Sequence, residues 1–72
     1  MEIKEAEWFK ARCNATWIIT GWYNEGVLSK ERALNLFSAI QDDNSRLGQF
    51  LISLNLDENG KAINIKDMGG VD

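Results

Sequence analysis

The chain has no histidine and no proline, and a single cysteine among its 72 residues. Each absence closes off chemistry. Without histidine, the commonest general base and the commonest neutral metal ligand are missing. Cys13 alone cannot close an internal disulfide, and with no histidine it cannot build a zinc site. It reads as a small buried apolar residue. A free thiol suits a reducing compartment, and the acidic start Met1-Glu2-Ile3-Lys4-Glu5 lacks the apolar stretch of a secretory signal. A cytoplasmic protein is expected. No apolar run approaches the length of a membrane span.

Positive charge is also scarce. Eight Lys and Arg stand against eleven Asp and Glu, for a net charge of −3. Proteins held by phosphate contacts cluster their cations, and this one does not. Nucleic acid is therefore an unfavoured partner. Nor is there a Gly-rich phosphate loop, or a serine within a nucleophile-elbow pattern. Asn55, Asp57, Asn59 and Gly60 fall at the first, third, fifth and sixth places of a calcium loop, but Lys66 then stands where a bidentate glutamate is required. No catalytic, cofactor-binding or metal-ligating residue is assigned, and no enzyme, small-molecule substrate or membrane partner is expected.

Aromatic residues are what the chain has in concentration. All three tryptophans and the single tyrosine lie between Ala6 and Tyr23. The apolar spacing there is helical, not alternating, and predicts a helix from about Lys4 to Asn24. Trp8, Ala11, Ala15, Ile18, Ile19 and Trp22 share one stripe. Phe9, Cys13, Trp17 and Thr20 form a second, turned away from the first. Glu7, Lys10, Asn14 and Gly21 make a narrow polar strip. Gly26 stops this helix and Ser29 caps the next, whose stripe is Ala33, Leu36, Phe37 and Ile40. So short a connector makes the two helices antiparallel neighbours. Residues Gly26 to Glu31 are similar to the turn between helices in many small domains, a likeness too short to carry a function across.

Further on, Asp43, Asn44 or Ser45 can cap a short third helix bearing Leu47, Phe50, Leu51 and Leu54 at core-facing spacing, although Gly48 weakens it and residues 51–56 read equally as strand. Asn59-Gly60 signals a type I′ hairpin that would pair Glu58 with Lys61, Leu56 with Ile63 and Leu54 with Ile65. The expected fold is mainly α: a small antiparallel helical hairpin or three-helix domain over residues 1–68, with a C-terminal β-hairpin and a loose tail at 69–72.

Two accounts fit the doubly apolar first helix. In one it is central, covered by the second helix on one side and by the third segment and hairpin on the other. In the other, part of its second face stays open and binds a partner. Tryptophan and tyrosine anchor interfaces, so Phe9, Cys13, Trp17 and Tyr23 are the candidate partner-binding residues. The expected function is a non-enzymatic protein-interaction module, a small regulator or inhibitor of the kind phages and mobile elements encode, engaging another protein or itself as a homodimer. A helix-turn-helix DNA binder using Lys30, Arg32 and Asn35, and a self-assembling structural subunit, are the alternatives.

Overall fold

A computed structural model describes residues 4–63. Three helices account for most of them: α1 (Glu5–Asn24), α2 (Lys30–Gln41) and α3 (Arg46–Ser53). The chain is mainly helical, as its periodicity predicts.

Local chemistry sets each boundary. Glu5 and Glu7 sit in the first turn of α1, where the helix dipole favours acids. At its other end Gly26 takes φ +80°. The Gly26 N–H donates to the Tyr23 carbonyl at 3.1 Å and the Val27 N–H to the Trp22 carbonyl at 2.9 Å, the paired bonds of a Schellman stop. Ser29 Oγ accepts from the Arg32 N–H at 3.2 Å and caps α2. Of the three candidate caps for α3 it is Ser45 that serves, accepting from the Gly48 N–H at 3.1 Å. Such caps each stabilise a helix by about 1 kcal/mol.

α2 runs back along α1. Its end, Gln41, lies beside Arg12 and Cys13, and the Arg12 guanidinium donates to Asp43 Oδ1 at 2.6 Å. The two helices are therefore antiparallel. The core is built from small residues: Ala11, Ala15 and Ile19 of α1, Ala33 and Ile40 of α2, and Ile52 of α3, flanked by half-buried Trp8, Leu36, Phe37 and Leu51. Alanines at the centre let the helix axes approach closely. α1, about 30 Å long, outruns α2 and α3, at about 18 and 12 Å, and Trp22 near its C-terminal end is 47% exposed.

Two expectations are corrected. First, α3 presents a different face to the core. Gly48, Ile52 and Asn55 are buried and Leu51 is half-buried, while Leu47, Phe50 and Leu54 are 51%, 57% and 58% exposed. Gly48 is the cause, because its bare backbone rests on the Ala39 carbonyl of α2 and turns the helix so that its larger side chains point away.

Second, the segment after α3 adopts another turn and register. Among the described residues there is no strand, only an isolated antiparallel bridge between Leu56 and Ala62. The Asp57 N–H donates to the Lys61 carbonyl at 2.8 Å and the Gly60 N–H to the Asp57 carbonyl at 3.0 Å. Gly60 has φ +77°, and among the described residues none other than glycine has positive φ. This is a turn over Glu58-Asn59 closed by a left-handed glycine, not a type I′ turn. Leu56 consequently faces Ala62 instead of Ile63, and Asp57, not Glu58, pairs with Lys61. Pairing of Leu54 with Ile65, and the tail at 69–72, lie outside the described residues. Residues 51–56 are helix to Ser53, then turn and bridge.

The polar strip of α1 holds this segment. Glu7 Oε1 accepts from the Ala62 N–H at 2.8 Å, and Asn14 Nδ2 donates to the Ile63 carbonyl at 2.6 Å. Asp57 Oδ1 accepts from the Asn59 and Lys61 N–H groups at 2.8 and 3.0 Å. Donation from Ala62 holds the Glu7 carboxyl below its ordinary pKa, with help from nearby Lys10 and Lys61. Donation from Lys61 and then Asn59 does the same for Asp57. Both pKa values are lowered on folding, so their contribution is complete above the unfolded-state pKa and is lost as pH falls through the lowered folded values. Hydrogen exchange followed by NMR should therefore show the Asn59, Lys61 and Ala62 amides losing protection below about pH 4, while the α1 and α2 amides hold. Simultaneous loss of all protection would contradict a locally pinned segment.

Candidate functional site

The site begins with a spacing. Phe9, Cys13 and Trp17 follow one another at four-residue intervals, which places them on one face of α1. The core face is Ala11, Ala15 and Ile19. α2 and α3 both pack against that face and its flanks, so the aromatic face is turned outward. Phe9 is 62% exposed, Trp17 is 67% exposed, and Cys13 is exposed with a free thiol. A large apolar side chain left in water forgoes about 25 cal/mol for each Å² not buried. Two such aromatics, one helical turn either side of an exposed cysteine, form an exposed apolar patch.

The patch has relief. Phe9, Arg12, Cys13, Trp17, Thr20 and Gln41 line a shallow depression of 430 Å³ between α1 and the end of α2. Its two threonine hydroxyls are engaged internally. Thr16 Oγ1 donates to the Arg12 carbonyl at 3.1 Å and Thr20 Oγ1 to the Thr16 carbonyl at 2.9 Å, the local back-bonding open to threonine in a helix. Arg12 is tied to Asp43, and its buried Nε has no hydrogen-bond partner. The bridge to so exposed a carboxylate adds at most about 1 kcal/mol; its effect is to hold the start of α3 beside α1.

Of the four candidate residues, three come together and one does not. Tyr23 is exposed, but it lies six residues past Trp17, about 9 Å along the helix and about 120° around it. It belongs to the end of α1. The helix-turn-helix reading places Lys30, Arg32 and Asn35 on the first half of α2, where all three are exposed.

A second apolar surface was not legible in the spacing. Ile18 and Trp22 of α1 face Leu51 and Leu54 of α3 across an open groove of 520 Å³, and Trp17 stands at its edge. Trp17 also lines the first depression, so the two surfaces are continuous through that one side chain. Phe50 and Leu47, on the outward side of α3, extend the apolar area further. The signal that could have revealed it is Gly48, since a glycine inside a helical pattern often marks a close backbone approach and thereby fixes which face is buried.

No helix among the described residues is long and apolar enough to cross a membrane. No three acidic or cysteine side chains among them gather in a way that could hold a metal ion. No protein-family model, curated protein or solved structure matches this chain. The site is read from its geometry.

Proposed function

We propose that this chain is a non-enzymatic protein-interaction module, a small regulator or inhibitor that docks through the outward face of α1. One observation carries the reading: Phe9 and Trp17 of the longest helix are 62% and 67% exposed while alanines and isoleucines fill the core. Folding alone gives no reason for that inversion, because a tryptophan buried inside stabilises a small domain far more than an alanine does. Binding gives one. Aromatic side chains bring large, stiff contact area to an interface at little entropic cost.

The test is retention. The tagged chain and its Trp17→Ala variant are each passed through lysate, with and without nuclease, and circular dichroism verifies that both are folded. The expected result is a stoichiometric protein held by the wild type and lost, by tenfold or more, with Trp17→Ala. Equal retention by both would remove this face from the function. Recovery of nucleic acid alone, lost with nuclease, would put the module reading aside in favour of a DNA binder working through α2.

A further inference from the structure

We propose that the groove between α1 and α3 is filled by this chain's own residues 64–66, with Ile65 seated between Ile18 and Leu54. This goes beyond the docking reading and is independent of it. The groove is closed from within, and the face of Phe9, Cys13 and Trp17 is left for a partner.

The described residues end at the mouth of the groove. The Ile63 N–H donates to the Asn55 carbonyl at 2.8 Å, and the Ile63 carbonyl accepts from Asn14 Nδ2 at 2.6 Å. Asn55 itself lines the groove, and so does Ile18, one helical turn beyond Asn14. Ile63 is therefore anchored between the two helices that form the groove walls. Its heading is also set. The Ala62 N–H is held by Glu7 and the Ile63 carbonyl by Asn14, two turns further along α1. From Ala62 to Ile63 the chain advances toward the C-terminal end of α1. On that side of α1 the strip runs on from Asn14 through Ile18 and Gly21 to Glu25, and all three line the groove.

Length and pattern match the space. An extended chain covers about 3.3 Å per residue and a helix about 1.5 Å, so Ile65 comes level with Ile18. Alternate side chains of an extended chain share a face. Ile65 thus follows Ile63, which is half-buried, to the same side. There it meets Ile18, Trp22 and Leu54, and Trp22 and Leu54 are 47% and 58% exposed in its absence. Charge matches too. Glu25 is the only charged residue among the described ones that line the groove, and Lys66 is the first cation after Ile63. With Ile65 in place, Lys66 lies on the solvent side, and its side chain spans the remaining roughly 6 Å to Glu25. Tethering favours this occupant over one from solution. Ile65 lies two residues from an anchored point, and so short a tether sets an effective concentration in the millimolar range or above.

NMR on the full isotope-labelled chain tests the assignment. Nuclear Overhauser contacts are expected from the Ile65 methyls to the Trp22 indole and the Leu54 methyls. An isotope-filtered experiment on mixed labelled and unlabelled chain should show none of them between copies. Ile65→Ser is expected to raise the unfolding equilibrium constant about tenfold, the effect of losing a partly buried aliphatic side chain. Val71→Ser, past the reach of the groove, should leave it within about twofold. An Ile65 with no contact to Trp22 or Leu54 would overturn the proposal, and the groove would be open to a partner. Contacts found only between copies would overturn it in favour of a second chain. An Ile65→Ser chain no less stable than Val71→Ser would show that Ile65 is not packed. Retention of a lysate protein through Trp17 is read separately, so the docking reading stands or falls by its own experiment.

Discussion

Gly48→Ala is expected to cost this protein at least 3 kcal/mol, although alanine is the better helix former. Intrinsic propensity favours alanine over glycine by about 1 kcal/mol inside a helix, and Gly48 lies inside α3. What opposes it is the crossing of α3 with α2. A Cβ at Gly48 would fall on the Ala39 carbonyl, 2.5 Å from its carbon and 3.1 Å from the Ile40 nitrogen. These are backbone atoms of a helix and cannot swing aside as the tip of a side chain can. α3 must therefore lift from α2, which opens Ile40 and Ile52 to water. Overpacking of a rigid site costs about 1–3 kcal/mol or more, and the lost burial adds to that. A domain of this length is stable by only about 4–11 kcal/mol, so a large shift in urea midpoint, or failure to fold, is expected. Gly21→Ala is the control. Gly21 is also inside a helix, yet nothing lies within 4 Å of its Cβ position. That change should stabilise by up to about 1 kcal/mol. If the two substitutions behave alike, the close crossing of α2 and α3 is wrong.

Gly48 also explains where the sequence could be read and where it could not. α1 and α2 were legible because their cues agree: helical spacing and a glycine stop set the bounds of α1, and a serine cap and a single apolar stripe set those of α2. α3 was legible as a helix but not in its orientation. A reading of side-chain spacing gives a glycine no weight, and so selects Leu47, Phe50 and Leu54 as the buried face. The core instead takes the face that lets two backbones touch, and the leucines turn outward. The hairpin register failed for a different reason. Asn-Gly serves both a type I′ turn and a type I turn closed by a left-handed glycine, and the two registers differ by one residue. Partners far away in the chain choose between them, Glu7 for the Ala62 amide and Asn14 for the Ile63 carbonyl. In the spacing of α1 those two residues are no more than members of a narrow polar strip.

The candidate site divides in the same way. Phe9, Cys13 and Trp17 could be placed on one face from spacing alone, because one helix carries them all. Whether this chain covers that face depends on where α3 docks, which is a tertiary matter. The groove of Ile18, Trp22, Leu51 and Leu54 joins two helices, and no local pattern could assemble it.

The same division inverts the usual ranking of core substitutions. Ile40→Ala is expected to cost about 2–5 kcal/mol, whereas Trp17→Ala should cost the isolated chain less than about 1 kcal/mol. Size alone would order them the other way, since removing a buried tryptophan typically costs about 3–5 kcal/mol. Burial decides. Ile40 is 0% exposed and packs in the cluster with Ala11, Ala15, Ile19, Ala33 and Ile52. Its loss leaves a cavity at the junction of all three helices, and the alanines around it have no side chains long enough to fill the space. Trp17 touches the molecule along one edge only. In its place alanine also removes a bulky aromatic from an exposed helical position, where alanine has the higher propensity. Chemical denaturation should be followed below micromolar concentration, so that any stabilisation of the folded state by a second copy through mass action is absent. An Ile40→Ala chain as stable as wild type would dissolve the three-helix core described above. A Trp17→Ala chain that unfolds would mean that Trp17 is held inside the fold, and the outward face of α1 would lose its claim as a docking surface. A stable Trp17→Ala chain that no longer binds would separate the residues that make this fold from those that make it useful.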